Sequence, residues 1–343
     1  SEWLGRKYSV FCNSGSSANL LMLSALKESG YMKNKKVVVP SVAWATDLAP
    51  VMQLGFEPIL VDSNMGDLSV DLEHLEKIFK KEKPSALMFV SVLGLVPDMD
   101  KIMDLCVRYG VTLLEDTCES MGCEYKGKKL GTFGMMSTFS TYFGHHISTI
   151  EGGFISTDDS ELYELLVSLR SHGWDRDLSK HTQKVLQADW NVSDFDAMYT
   201  FYYPGYNLRS TDLQAYIGLS QIDKLDGWGF KRAANFDVYQ RDIKNDYWKV
   251  NPQKESFISN FAYPIIHPNR DKIVKELQKN NIEVRPMICG SMGTQPFYVK
   301  EYGRLELPNV TEIDRYGFYV PNNPHITDGE IVHISNIINK GIR

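Results

Sequence analysis

Two adjacent histidines, His145 and His146, lie in the segment STYFGHHISTIEGGF, residues 140–154. A free imidazole titrates at about 6.5, so such a ring can take and return a proton near neutral pH. Upstream, LLEDTCES puts Asp116 at the end of an apolar run, with Glu119 three residues on. A carboxylate entering an apolar interior needs a partner. A protonated pyridine nitrogen is one such partner, and holding that proton makes the ring an electron sink. A plain helix N-cap is another use for Asp116. Glu119 could cap as well, or reach a hydroxyl on the same ring. In FCNSGSSANLLMLSAL a Ser/Gly turn opens into an apolar helix, and its free N–H groups and serine hydroxyls suit a phosphate. A helix capped by Asn13 or Ser14 accounts for the same letters. Ser140 adds another hydroxyl. Trp44, in VPSVAWATDLAP, follows a strand pattern and could stack on a flat ring or fill a core.

These residues need a frame. KVVVP (36–40), EPILVD (57–62), SALMFVSVLG (85–94), VTLLED (111–116), MSTFSTYF (136–143) and GGFISTD (152–158) read as strands. Most are apolar on consecutive residues, as in a sheet covered on both faces. Helix patterns alternate with them. Val70, Leu72, Leu75, Ile78 and Phe79 share one face, and Asp98 to Gly110 brackets a second helix. The alternation predicts a mostly parallel sheet with right-handed crossovers. Residues 172–209 are polar, aromatic-rich and irregular, and a long helical region runs from Thr211 to Asp246. Beyond it, FAYPIIH, IEVRP and the helix RDKIVKELQKNN predict a smaller α+β unit. The expected domains are a large α/β domain over 1–245 and a small α+β domain over 246–343.

In order and spacing, SGSSA, EDTCE and STYFGHHISTIEGG resemble the DegT-type family of nucleotide-sugar aminotransferases. That family reads S-G-T-x-A, E-D-x-x-Q/E and S-F-x-x-x-K-x-I/L-x-x-G-E-G-G at these places. The resemblance covers the whole chain, although family members carry a further segment before the first motif. It implies the type I pyridoxal phosphate (PLP) fold, that of aspartate aminotransferase. It implies phosphate binding by Ser16, Ser17 and Ser140, and by Asn207 from the partner subunit of a homodimer with shared active sites. Trp44 would stack on the cofactor, Asp116 would pair with its ring nitrogen, and Glu119 would approach its hydroxyl. His172 and Arg176, in RSHGWDRDL, fall near the expected mouth, where Arg176 could hold a diphosphate or a glutamate carboxylate. A surface ion pair would use Arg176 equally well.

The departure from the family pattern decides the expected chemistry. Its cofactor-binding lysine falls on His145. This resembles a lysine-less branch, the sugar 3-dehydratases that act on GDP-4-keto-6-deoxymannose in deoxysugar and O-antigen synthesis. Imidazole cannot form the imine that a lysine forms, so the cofactor would be held without a covalent tether and could rest as pyridoxamine phosphate. Glutamate would supply the amino group. His145 would move the proton that accompanies loss of the C3 hydroxyl, and the sugar would leave as a 3-deoxy-4-keto product with release of ammonia. An aminotransferase using a lysine from elsewhere, or a non-catalytic sugar-nucleotide binder, are the competing readings. An iron–sulfur cluster is not expected, because no cysteine lies between Cys123 and Cys289. Nor is a metal site: neighbours on an extended strand face opposite ways, and zinc-type spacing is absent. His146 reads as a core residue.

Composition narrows the partners. The chain has 343 residues, 43% hydrophobic and 23% charged, with a formal net charge of −6 and no basic run. That argues against nucleic acid or an anionic membrane as partner. No stretch has the length and apolarity of a membrane span, and SEWLGRKYSV lacks a signal-peptide core. The first residue is not Met, which leaves the natural N-terminus and its targeting information open. Five cysteines without a C-x-x-C pair point to reduced thiols and a cytoplasmic setting.

Overall fold

The computed structural model describes residues 1–288 and 290–343, so Cys289 lies outside the described residues. The central sheet has seven strands, in the order Tyr8–Cys12, Gly153–Thr157, Met136–Ser140, Thr112–Asp116, Ala86–Val90, Lys36–Pro40 and Glu57–Val61. Gly153–Thr157 runs antiparallel to both of its neighbours, and the other neighbouring strands pair in parallel. Every residue of Ala86–Val90 and of Met136–Ser140 is buried. That burial explains the unbroken apolar runs, since helices cover the sheet on both faces.

The parallel strands end at one edge of the sheet. Asp116 and Ser140 are the last residues of their strands, and Trp44 follows Pro40 by four positions. The helix Gly15–Glu28 follows the strand Tyr8–Cys12 and starts at the same edge. Ligands of open α/β sheets bind beyond the carboxyl ends of strands, and here the chemically equipped residues gather there.

Several boundaries differ from the sequence reading. The segment 85–94 is a strand only to Val90, and Val92–Gly94 forms a 3-10 turn. The segment 136–143 ends as a strand at Ser140, with Tyr142 and Phe143 exposed in the loop that follows. The opposite-face argument for His145 and His146 therefore does not apply, since neither residue is in a strand. Residues 211–246 form two helices, Asp212–Ile222 and Leu225–Asp242. Asp98 does cap the helix Met99–Tyr109, and Gly110 closes it at φ +62°.

The C-terminal part contains a second, antiparallel sheet of Ala262–Ile266, Gly317–Pro321 and Arg285–Pro286. Helix Asp328–Ile342 packs on Leu225–Asp242 and on Arg270–Lys279. Among the described residues, no helix is long and apolar enough to cross a membrane.

Candidate active site

The anion cradle is built from backbone. Ser14 caps the helix Gly15–Glu28, its Oγ accepting from Ser17 N at 3.0 Å and donating to Ser17 Oγ at 3.0 Å. The helix start, the end of strand Met136–Ser140 and the turn before Gly153 close tightly on one another. A Cβ on Gly15 would come 2.7 Å from Ser140 Cβ, and one on Gly153 would come 2.2 Å from the Ser14 carbonyl oxygen. Only glycine fits at these two places. The contact brings the unpaired N–H groups of the first helical turn beside the Ser140 hydroxyl.

Ser16, Trp44, Asp116, Glu119, Ser140 and His145 all line one cavity of about 770 Å³. Trp44 is 51% exposed, so its indole forms a wall of the cavity rather than part of the core. Ser17 is not among the lining residues, because its hydroxyl turns toward Ser14.

Asp116 is buried, and its two oxygens accept from Cys118 N at 2.8 Å and Asn19 Nδ2 at 2.6 Å. Both donors are neutral. The carboxylate therefore retains room for a cationic partner on its cavity side. Glu119 is also buried, accepts from Leu93 N at 2.6 Å, and is pushed up to about 8 by burial. At neutral pH it carries its proton and can donate.

His145 stands between Tyr142 and Phe261, with ring centroids 5.9 and 5.6 Å away. Burial pushes it down to about 4; Asp116 opposes the shift and Arg232 adds to it. Its ring is therefore neutral at physiological pH and available as a base. Its Nδ1 has no hydrogen-bond partner within the chain. His146 is fully enclosed, with Nε2 2.6 Å from the Ser259 carbonyl oxygen, and burial drives its pKa well down.

These residues fit PLP. The glycine-tight helix start suits its phosphate, the exposed Trp44 face suits its ring, and a buried carboxylate with only neutral donors suits a protonated ring nitrogen. Among the described residues no lysine lines the cavity.

Three expected site residues are placed elsewhere in the single chain. His172, Arg176 and Asn207 are exposed and do not line the cavity. Asn207 pairs with Ser171 and accepts from Arg209 Nε at 3.2 Å, while Arg176 lies over the Trp174 ring at 5.5 Å. Other lining residues carried no usable signal in the sequence. Asp47 sits in the first turn of its helix, where an acid is ordinary. Arg232 and Tyr319 come from the C-terminal half, which is folded back over the sheet edge.

The chain matches the sequence family described as the DegT/DnrJ/EryC1/StrS aminotransferase family over residues 1–339. It is 34% identical to the GDP-4-keto-6-deoxy-D-mannose 3-dehydratase of Yersinia pseudotuberculosis over 351 residues, covering 99% of this chain and 88% of that protein. A crystal structure of GDP-4-keto-6-deoxymannose-3-dehydratase with a trapped PLP–glutamate geminal diamine superimposes with a TM-score of 0.88 at 31% identity, covering 98% of this chain and 89% of that one. The E. coli enzyme with bound hydrated PLP also gives a TM-score of 0.88, at 30% identity and the same coverage.

Proposed function

The chain belongs to the DegT/DnrJ/EryC1/StrS aminotransferase family, and within it we propose a PLP- or pyridoxamine-phosphate-dependent 3-dehydratase acting on a GDP-linked 4-keto-6-deoxy sugar, with glutamate as amino donor. One observation carries this reading. The cavity presents a neutral imidazole, His145, which the motif spacing sets against the family's lysine, and no lysine lines it among the described residues. Proton removal is available there, and covalent anchoring is not.

When bound, the cofactor supplies an amino group for the sugar ketone and a ring that accepts electrons. The chain does the rest. The helix start with Ser16 and Ser140 binds the phosphate, Trp44 stacks, and Asp116 holds the proton on the ring nitrogen. Glu119 donates toward the ring hydroxyl. His145 takes a proton at the carbon beside the ring and returns one to the departing oxygen at sugar C3. In balance, the sugar's C3–OH becomes C3–H, and glutamate becomes 2-oxoglutarate and ammonia. Glutamate is the reductant, and water enters and leaves in equal number.

The helix Asp212–Ile222 has no buried residue, and its Leu213, Tyr216 and Leu219 are exposed. This supports a homodimer that covers the helix and carries Asn207, with Arg176 and His172, to the partner's cavity. Four buried thiols, Cys12, Cys106, Cys118 and Cys123, support a reducing, cytoplasmic setting.

The test supplies PLP, glutamate and GDP-4-keto-6-deoxymannose, then measures ammonia and the mass of the sugar product. Free ammonia with a sugar one oxygen lighter is the expected outcome. Nitrogen retained in the sugar would establish an aminotransferase instead.

A further inference from the structure

We propose that Asp47 is a positioning residue: it holds a hydrogen against Asp116, so that the two acids share one negative charge and that charge stays on the oxygens of Asp116. The inference deepens the cofactor reading above, because Asp116 is the group assigned to the ring nitrogen.

The geometry is that of a clamp. Asn19 Nδ2 reaches Asp116 Oδ2 at 2.6 Å and Asp47 Oδ1 at 3.3 Å. The orientation of this amide is fixed, because Thr138 Oγ1 occupies Asn19 Oδ1 at 2.6 Å. Asp47 Oδ2 accepts from Trp44 N at 2.9 Å. Asp47 is 0% exposed, and its carboxyl shares the Asn19 amide with that of Asp116.

Two carboxylates in contact, shielded from water, cannot both ionise. The titratable groups acting on Asp47 are Asp116 and Glu119, both acidic. Burial and these neighbours raise its pKa well above the ordinary carboxyl value. Asp116 already takes two N–H donors. A hydrogen from Asp47 adds a third and fixes the carboxylate's orientation before the ring arrives. Helix capping explains one Asp47 oxygen, the one on Trp44 N. The other oxygen, Oδ1, meets the same Asn19 amide that donates to Asp116 Oδ2, which sets the two carboxyls side by side.

Infrared difference spectra of the cofactor-free protein at pH 7 test the protonation directly. Wild type against D47N should show loss of a protonated carboxylic-acid carbonyl band, with E119Q marking the separate band of Glu119. Loss of an ionised-carboxylate band in D47N would overturn the inference. D47N sets an amide NH2 against the Asn19 Nδ2 donor and serves the infrared comparison alone. Cofactor titration of folded D47S tests the positioning. D47S keeps an acceptor for Trp44 N but lacks the reach, and should bind about tenfold or more weakly, as for a lost hydrogen bond to a charged group. D47S binding like wild type would overturn the inference. Neither readout uses turnover, so a protonated Asp47 in a protein that releases no ammonia would keep this inference and lose the dehydratase reading.

Discussion

Gly15 lies so close to Ser140 that a single added carbon would meet the serine's Cβ at 2.7 Å and its Oγ at 3.0 Å. The helix start and the strand end are thus pressed into one anion cradle. Cys118 Sγ, 3.1 Å from the same added carbon, leaves little room to yield. We expect G15A to force the two elements apart, at about 1–3 kcal/mol of stability for overpacking, and to weaken PLP binding about tenfold. Thermal unfolding and a cofactor titration measure the two effects. A G15A protein that binds PLP like wild type would place the phosphate elsewhere.

Substitution at His145 should restore the tether that the site lacks. H145K sets a primary amine on the cavity wall, in reach of a bound aldehyde. The expected result, after borohydride treatment of the PLP-loaded protein, is one cofactor mass added covalently to H145K and none to wild type. H145N should lose ammonia release by about a hundredfold or more, the usual scale of a general base, while binding PLP normally. An untethered H145K would mean that His145 does not face the reactive carbon.

Two buried groups give opposite pH limbs. Glu119 has a folded value of about 8, above its ordinary 4.5, so the folded protein binds this proton more tightly than the unfolded chain. Its contribution is complete below about pH 4.5 and is lost as pH rises through 8. His145 has a folded value of about 4, below its ordinary 6.5. Its contribution is complete above about pH 6.5 and is lost as pH falls through 4. In urea unfolding of the cofactor-free protein, E119Q should flatten the decline from pH 5 to 8, and H145N the decline from pH 6.5 to 4. A variant profile parallel to wild type would contradict the burial of that group.

How far the sequence disclosed this arrangement depended on whether a residue's pattern had competing uses. Val37, Val38 and Val39 are apolar without alternation, and a doubly covered strand accounts for that best. Asp116 ends such a run, so its place at the sheet edge followed from the strand itself. Asp47 and Asn19 left no such trace. An acid early in a helix and an amide on an apolar helix are ordinary, and their meeting with Asp116 depends on tertiary packing. Tyr142 and Phe143 misled the strand boundary, because aromatic residues favour strands while these two stand exposed in a loop. Arg176 and His172 were expected near the mouth of the site, and in the single chain they do not line the cavity.

The last prediction concerns that distance. Leu213, Tyr216 and Leu219 recur at three-residue spacing on Asp212–Ile222, and all three are exposed on a helix that buries none of its residues. A lone helix of this kind gains little from its own chain, so a second subunit is the natural cover. Asn207 and Arg209, just before the helix, would be carried with it. We expect L219E to shift the protein from dimer to monomer in sedimentation at micromolar concentration. The monomer should also bind PLP more weakly, because the phosphate loses Asn207 of the partner subunit. Mixing R176A with H145N should then restore part of the ammonia release, since one of the two cavities in a mixed dimer would combine an intact His145 with an intact Arg176. A mixture no more active than its components would assign both residues to one subunit's site, or remove Arg176 from the site altogether.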